Sequence, residues 1–408
     1  TIVNQPGPTE VPEEVLGAMR QQSVMLEDER LHAATASVMA DLKEMFGCGK
    51  GSEVFLHASN GHGMWDSVLY NTLRRGDRVL VVGSKFFGEQ WARSVTGCEL
   101  VPELFPDSWT SSVDIAAFKA RLQEDTRREI RAVLAVQACT LTGVHNDIAA
   151  LGTALVDVEH DALLLVDAVC SFGVHPMCME QWRVDAVLTG SQKGLISPPG
   201  VGIVCAGPRA LAWHKSTSRP GDGLYSQYWD WTSRLSTLHY FKWYGTPPEQ
   251  LLFALRKALD LLQNEGLEHV VERQRHCALA VRHAVAAWAS GPDSAISLHV
   301  PDEASQSSAV VVVKVDEKVG AGCIVDYCKA HFDVSLASTF GPLAGKAFRI
   351  ATMGTMNAPA VFAILGALEA TFRACGVPHS PGGVSAAIEY MSSVTAASGF
   401  TVAKGKGY

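Results

Sequence analysis

The fold is decided by a stretch that begins Leu163-Leu164-Leu165-Val166-Asp167, continues through Ala186-Val187-Leu188 and ends Thr189-Gly190-Ser191-Gln192-Lys193-Gly194. Two continuous apolar runs of this kind are typical of strands buried on both faces, as in a parallel sheet covered by helices. The carboxylate of Asp167 ends the first run, and the amine of Lys193 follows the second. The stretch therefore predicts two buried strands, one ending in a carboxylate and the other followed by an amine.

Asp167 and Lys193 are the two groups that pyridoxal 5'-phosphate requires of a protein. The lysine forms a Schiff base with the cofactor aldehyde, and the carboxylate keeps the pyridine nitrogen protonated, so that the ring can accept electrons from a carbanion. Spacing alone leaves the alternative open that Asp167 caps a turn and Lys193 is a surface lysine. We therefore treat the pair as a hypothesis for a cofactor site, which needs support from other motifs in the chain.

Similar apolar runs recur in the first two-thirds of the chain. They lie at residues 79–82, 132–136 and 201–204, with a short strand predicted at 54–56. Segments with helical spacing of apolar residues lie between them, for example at 64–73. This alternation predicts an α/β architecture with a mostly parallel sheet covered by helices.

The pattern changes from about residue 251. One long helical stretch is predicted at 251–287, followed by strands at 309–313 and 348–350 and a helix at 358–375. These segments predict a smaller C-terminal α+β domain. The predicted division is an N-terminal substrate-site segment at 1–20, a large cofactor-binding α/β domain at 21–250, a connecting helix with the small domain at 251–395, and a tail at 396–408.

Composition excludes several classes of function. The 408 residues are 47% hydrophobic and 19% charged, with a net charge of -8, so no basic footprint points to nucleic acid or an anionic membrane surface. Neither a long apolar run nor a signal-peptide pattern is found, and we expect a cytoplasmic protein. The ten cysteines form no C-x-x-C pair, which favours core thiols over a metal site.

A glycine-rich loop, Ser59-Asn60-Gly61-His62-Gly63, follows the predicted strand at 54–56 and precedes the helix at 64–73. Its glycines let backbone amides approach a ligand, and the helix N-terminus adds positive partial charge. The loop is a candidate phosphate site, and a simple tight turn is the alternative.

Further segments stand in a fixed order around these motifs. They are Gly7-Pro8-Thr9-Glu10-Val11-Pro12, Gln137-Ala138-Cys139-Thr140-Leu141-Thr142-Gly143-Val144, Pro198-Pro199-Gly200 and Phe348-Arg349-Ile350. Taken together, the chain resembles the class V, fold-type I aminotransferases that depend on pyridoxal 5'-phosphate, in particular the serine/alanine–glyoxylate group. The resemblance covers residues 4–395, and it implies a seven-stranded type of sheet.

The resemblance implies a role for each matching residue. Lys193 would form the Schiff base and move the proton, Asp167 would pair with the pyridine nitrogen, and Arg349 would bind the substrate carboxylate. The N-terminal Gly7 and Pro8 would lie at the substrate. The remaining cofactor contacts would come from Asn60, Gly61, His62 and Gln192 at the phosphate, Thr140 at the phenolic oxygen, and Phe87 on the ring, with Phe86 as its alternative.

Two further positions imply a homodimer with shared active sites. Thr246 matches a threonine that in this family reaches the phosphate of the other subunit. Trp243 or Tyr244 falls near the family's tyrosine. Each active site would then need two chains.

Several positions depart from the family pattern, and all could reshape the pocket. Acids at 27–29 replace a usual His-Arg pair, and they could select a polar or amine substrate or simply begin a solvated helix. The other departures are Trp65 beside the phosphate loop, Gln137 for histidine, Cys139 for glutamate, and Ala351-Thr352 after the arginine.

The expected activity is ping-pong transamination from an amino acid of the serine, alanine or aspartate class to an α-keto acid such as glyoxylate or pyruvate. Two alternatives keep the cofactor: a lyase acting at Cβ of an amino acid, or transamination of an unusual amine donor. A non-catalytic binding protein on the same scaffold is a third.

Overall fold

The computed structural model describes residues 1–83, 85–217 and 224–398. In these ranges the strands are β1 (Ile2–Asn4), β2 (Glu53–Ala58), β3 (Arg78–Val82), β4 (Val101–Leu104), β5 (Ile130–Val136), β6 (Leu163–Asp167), β7 (Ala186–Gly190), β8 (Val201–Ala206), β9 (Ile296–Leu298), β10 (Val310–Val315), β11 (Val334–Ser338) and β12 (Ala347–Ala351). The helices are α1 (Glu13–Ala18), α2 (Glu29–Met45), α3 (Gly61–Thr72), α4 (Lys85–Gly97), α5 (Ile115–Glu124), α6 (Ile148–Asp157), α7 (Pro208–Thr217), α8 (Trp231–Arg234), α9 (His239–Trp243), α10 (Glu249–Glu265), α11 (Leu267–Trp288), α12 (Ala321–Phe332), α13 (Ala358–Ala374) and α14 (Gly383–Ser398).

The larger sheet has the order β2-β8-β7-β6-β5-β3-β4 among the described strands. Only β8 in this sheet runs antiparallel to its neighbours. Alternate residues of β6 pack on opposite faces, with Leu164 and Val166 in one apolar cluster and Leu163 and Leu165 in another. Helices therefore cover both faces, which confirms the mostly parallel α/β sheet predicted from the continuous apolar runs.

The smaller sheet has the order β1-β11-β12-β10-β9 in the described part of the chain. Its first strand comes from the N-terminus and runs parallel to β11. The side chain of Asn4 exchanges two hydrogen bonds with the backbone of Ala351 on β12, each 2.8 Å long. The extreme N-terminus is thus part of the C-terminal sheet, which the sequence did not indicate.

The prediction of one helix over 251–287 is wrong, because two helices occupy this stretch. Helix α10 ends at Gly266, whose φ of 91° lies in a region that only glycine adopts without strain. Leu259 of α10 packs in the core of the large sheet, and Val281 of α11 packs in the core of the small one. The break therefore lies between a residue packed in one core and a residue packed in the other.

The carboxyl ends of β5, β6 and β7 meet at one edge of the large sheet, where Val136 pairs with Asp167 and Asp167 pairs with Leu188. Helix α3 and the loop before it also start from this edge, since the end of β2 pairs with the start of β8. Ligands of open α/β sheets bind at such an edge. The fold therefore brings together motifs that are more than 100 residues apart.

Two predictions fall partly outside the described residues. Residues 399–408 of the predicted tail and Ser84, which precedes the predicted stacking phenylalanine, are not described. Among the helices that are described, none combines the length and apolar character needed to span a membrane.

Candidate active site

A cavity of about 280 Å³ lies between the carboxyl edge of the large sheet and the N-terminal segment. Most of the predicted site residues line it: Gly7, Pro8, Asn60, Gly61, His62, Phe87, Thr140, Asp167, Gln192 and Lys193. Three predicted residues are not in its lining: Trp243, Thr246 and Arg349.

The carboxylate of Asp167 is buried at the end of β6, with 5% of the residue exposed. Oδ1 accepts a hydrogen bond from the backbone N–H of Val169 and Oδ2 accepts one from the indole of Trp65, both at 2.8 Å. No ion pair involves this carboxylate among the described residues. Burial raises the pKa of Asp167, so the site disfavours a bare negative charge. A protonated pyridine nitrogen would be a suitable partner for such a buried carboxylate.

Lys193 extends from the loop after β7 and donates from Nζ to the carbonyl oxygen of Pro6 at 2.5 Å. Burial lowers the pKa of Lys193, and the positive charge of Arg349 lowers it further. The amine is therefore more easily uncharged than an ordinary lysine, as a nucleophile or a base requires. The arrangement suits attack on an aldehyde in the cavity.

The N-terminal segment covers the lysine closely. Gly7 has a φ of 138°, and a Cβ at this position would collide with Nζ and Cε of Lys193. Thr9 fastens the segment by donating its N–H to the carbonyl of Gln192 and its hydroxyl to the carbonyl of Lys193, each at 3.0 Å. The predicted substrate-site segment thus lies directly over the amine.

The cavity has a positive end at the N-terminus of α3. Asn60 caps this helix, its side chain accepting from the N–H groups of His62 and Gly63. The buried side-chain oxygen of Gln192 has no hydrogen-bond partner among the described residues. Because an amide can turn over and present its N–H groups, Gln192 can donate to an anion there. These groups fit a phosphate.

Of the two phenylalanines considered for stacking, Phe87 lines the cavity. Phe86 instead packs edge-on against Phe87 and Phe340, with ring centroids 5.2 and 4.9 Å apart. The geometry therefore favours Phe87 as the ring that faces a cofactor.

Arg349 on β12 stands beside the cavity rather than in its wall. Its guanidinium donates to the backbone carbonyls of Thr140 at 3.0 Å and Ser338 at 2.6 and 3.1 Å, and lies 5.3 Å from the ring centre of Phe340. In the described part of the chain no carboxylate pairs with it. The carbonyl oxygens therefore fix the orientation of the guanidinium plane but do not neutralise its positive charge. Such a group is suited to bind an anionic ligand.

The segment after α9 is placed differently from the cavity residues. Trp243 is buried, and its indole donates to the hydroxyl of Thr35 at 3.4 Å. Tyr244 is partly exposed and Thr246 is exposed. Within one chain neither Trp243 nor Thr246 reaches the cavity, and of the two aromatic alternatives only Tyr244 has access to another molecule.

The acidic stretch at 27–29 begins a helix. Asp28 caps α2 by accepting from the N–H of Arg30 at 2.9 Å, and it pairs with the Arg30 guanidinium at 2.7 Å. Arg30 lowers the pKa of Asp28 to about 2. Because the oxygens of Asp28 are already engaged, the structure favours the solvated helix start over a substrate-selecting role.

In the sequence, Trp65 is a large residue beside the phosphate loop, and no spacing links it to Asp167. The two residues are 102 positions apart in the sequence, and only the fold brings α3 against the end of β6. The contact therefore cannot be predicted from local sequence. Cys170, which the sequence predicts to be a core thiol, also lines the cavity. Among the residues that the structure describes, no group of three or more His, Cys, Asp or Glu side chains could hold a metal ion.

Comparisons with known proteins agree with this geometry. The sequence profile of the family described as aminotransferase class-V matches residues 3–330. A serine–glyoxylate aminotransferase of Methylorubrum extorquens is 34% identical over 95% of this chain and 94% of its own length. An L-aspartate–glyoxylate aminotransferase of Paracoccus denitrificans is 32% identical over 96% of each chain. The crystal structure of a ureidoglycine–glyoxylate aminotransferase from Bacillus subtilis is similar with a TM-score of 0.85 and 25% identity, over 96% of this chain and 97% of the other.

Proposed function

The chain belongs to the aminotransferase class-V family, and on that premise we propose that it uses pyridoxal 5'-phosphate to transfer the amino group of an amino acid to glyoxylate or a similar α-keto acid. The family membership confirms the resemblance and the fold type predicted from its motifs. One observation carries the cofactor assignment: Asp167, Lys193 and the N-terminus of α3 face the same cavity.

Each part of the cofactor has a matching group in the cavity. Asp167 would hold the pyridine nitrogen, and the N-terminus of α3 with Gln192 would hold the phosphate. Phe87 would lie on the ring and Thr140 at the phenolic oxygen. When bound, the cofactor supplies an electron sink that makes the Cα proton of an amino acid removable.

The chain's own residues then bind the substrate and move its proton. Burial lowers the pKa of Lys193, so its Nζ is available as a base. It would take the proton from the substrate Cα and return it to C4' of the cofactor. Arg349 binds the carboxylate of the amino acid and later that of the keto acid. Since one arginine serves both substrates in turn, the kinetics should be ping-pong.

The charges of the cavity favour a donor with a single carboxylate. Among the described residues that line it, Lys193 is the only lysine or arginine. Arg349 beside it can hold one carboxylate, and a second carboxylate on the substrate side chain would find no further cation within this chain's lining. Considering the groups of this chain alone, serine or alanine is therefore favoured over aspartate as donor.

We also infer a homodimer with shared sites. Thr246 and Tyr244 lie on a surface segment with exposed apolar side chains, including Leu238 at 62% and Tyr240 at 49% exposure. Such an apolar surface suits contact with a second copy, in which Thr246 would reach the partner's phosphate end. The ten cysteines are all free thiols, which supports a reducing compartment such as the cytoplasm.

A half-reaction experiment tests the proposal. The purified protein is loaded with pyridoxal 5'-phosphate and mixed with serine, alanine or aspartate without any keto acid. A transaminase loses its visible absorbance band once and recovers it when glyoxylate or pyruvate is added. Continuous product release without an acceptor would instead establish the lyase alternative, and no cofactor absorbance at all would contradict both.

A further inference from the structure

Trp65 on α3 contacts the carboxylate that would hold the pyridine nitrogen. Its indole Nε1 donates to Oδ2 of Asp167 at 2.8 Å, and only 2% of the tryptophan is exposed. The ring packs against His62, at a centroid distance of 4.3 Å, and against Trp91, at 5.9 Å. The donor therefore has little freedom to leave the carboxylate.

The two oxygens of Asp167 are fixed by two donors from different elements. The N–H of Val169, two residues along the chain, binds Oδ1, and the indole from α3 binds Oδ2. Two such bonds fix the rotation of the carboxylate about its Cβ–Cγ bond. Because each carboxylate oxygen has a further lone pair, the fixed group can still accept a proton donor from the cavity.

We propose that Trp65 is a positioning residue that orients Asp167 and makes it a weaker base, so that a proton shared with the pyridine nitrogen stays on the nitrogen. This inference rests on the proposed function, because it concerns the cofactor's ring nitrogen. Helix α3 would then have two roles. Its N-terminus would bind the phosphate of the cofactor, and Trp65 would support the carboxylate at the pyridine nitrogen.

The direction of the effect follows from the environment of the carboxylate. Burial raises the pKa of Asp167, and the hydrogen bonds from Val169 and Trp65 oppose that rise, as do the charges of His62 and Lys193. A donor to a carboxylate stabilises its ionised form. Without the indole N–H, the carboxylate becomes more basic and draws the proton from the ring nitrogen, which weakens the electron sink.

The test compares two cofactors in one variant, Trp65→Phe, which keeps an aromatic ring and removes the N–H. Affinities are measured by equilibrium dialysis of the cofactor-free protein with pyridoxal 5'-phosphate and with its 1-deaza analogue, in which carbon replaces the ring nitrogen. Once the ring nitrogen has lost its proton, the charge-assisted hydrogen bond between the cofactor and Asp167 is weakened, and a bond of that kind corresponds to roughly a tenfold or greater change in affinity. We expect a loss of that size for pyridoxal 5'-phosphate and little change for the analogue.

The chain offers a matched control in Trp91→Phe. Trp91 is also fully buried and stacks on Trp65, but its indole nitrogen has no hydrogen-bond partner among the described residues. Removing that N–H should leave both affinities close to those of the wild type. A second variant, Trp65→His, places an N–H at the corresponding position of a five-membered ring, and it should restore part of the lost affinity for pyridoxal 5'-phosphate.

Equal weakening for both cofactors in Trp65→Phe would show a packing role and overturn the inference, as would an unchanged affinity. If Trp65→Phe does not fold, Trp65→His decides: near wild-type affinity for pyridoxal 5'-phosphate supports the inference, and an equal loss for both cofactors overturns it. The proposed function fails separately, when the wild type neither binds pyridoxal 5'-phosphate nor transaminates.

Discussion

Arg349 donates from Nη1 to the backbone carbonyl of Thr140 at 3.0 Å, across 209 residues of sequence. The bond ties β12 of the small sheet to the loop that follows β5 in the large sheet. The proposed carboxylate-binding group is thus held by the backbone of a residue that lines the cofactor cavity. On the proposed function, this contact between the two sheets would set the distance between the substrate carboxylate and the cofactor.

Replacing Arg349 by lysine should raise the KM for amino donors by roughly 10- to 100-fold, because a lysine keeps the charge but cannot make paired hydrogen bonds to a carboxylate. Cofactor affinity should not change, since Arg349 is outside the cavity lining. Steady-state kinetics with serine and alanine measure the effect. Arg373→Lys, at an exposed position paired with Glu369, is the control, and an unchanged KM in Arg349→Lys would contradict the assignment.

The Lys193→Ala variant should lose transamination by at least about a thousandfold, as expected when the group that moves the proton is removed. It should still bind pyridoxal 5'-phosphate without a covalent bond, because Asp167 and the N-terminus of α3 remain. Borohydride treatment followed by peptide mapping should label Lys193 in the wild type and nothing at this position in the variant. Lys119→Ala, on the surface, should behave as wild type; a normal rate in Lys193→Ala would exclude the assigned role.

A methyl group at Gly7 should disturb the amine directly. In Gly7→Ala the new Cβ would collide with the end of Lys193, and the backbone at a φ of 138° would be strained. Displacing a reacting group by about 1 Å can cost about 100-fold in turnover, and we expect a loss of that order. Gly17→Ala is the matched control in the same segment, with open space at its Cβ, and it should leave turnover unchanged. Equal rates for the two variants would show that the segment does not constrain the lysine.

The rate of cofactor capture should depend on pH through Lys193, since only the uncharged amine attacks an aldehyde. The pKa of Lys193 is lowered by burial and then by Arg349, so the rate should rise with a midpoint below the ordinary lysine value of 10.5. Removing the positive charge in Arg349→Gln should raise the pKa of Lys193 and move the midpoint upward. Stopped-flow absorbance against pH measures both, and a downward shift in the variant would contradict the electrostatic argument.

Mixing two inactive variants tests the shared site. Thr246→Glu places a negative charge where the partner's phosphate is proposed to bind, and it should abolish cofactor binding. A mixed dimer with Lys193→Ala would contain one site with both native residues, so unfolding and refolding the two variants together should restore activity. Thr153→Glu, an exposed threonine on α6, should stay active alone. If mixing restores nothing, each site is built from one chain.

The strands of the large sheet could be predicted because a strand buried on both faces consists of one continuous apolar run, as at 163–167. Short strands with mixed patterns, such as β1 and β4, have no such continuous apolar run. The pairing of Ile2 with Val334 cannot be predicted from local sequence, because the two residues are far apart in the chain. The break at Gly266 was missed because the apolar period continues on both sides of it.

Most of the candidate cavity could be listed from motifs, since those around Asn60, Thr140, Asp167 and Lys193 follow strands that end at one edge of the large sheet. Contacts between motifs could not be predicted. The spacing from Asn60 to Trp65 places the indole on a helix, but its direction toward Asp167 depends on how α3 packs on β6 and β7. The same holds for Asp28, whose capping role depends on where α2 begins.

The pairing of Asn4 with Ala351 has a consequence for biosynthesis. The N-terminal segment that covers Lys193 is made well before its partners in the small sheet, since 347 positions separate Asn4 from Ala351. Domains generally fold as they emerge, so the large sheet can form while this segment still has no partner. The segment can be fixed over the amine only after β12 has been made, so a nascent chain can hold a folded large sheet before its active site is complete.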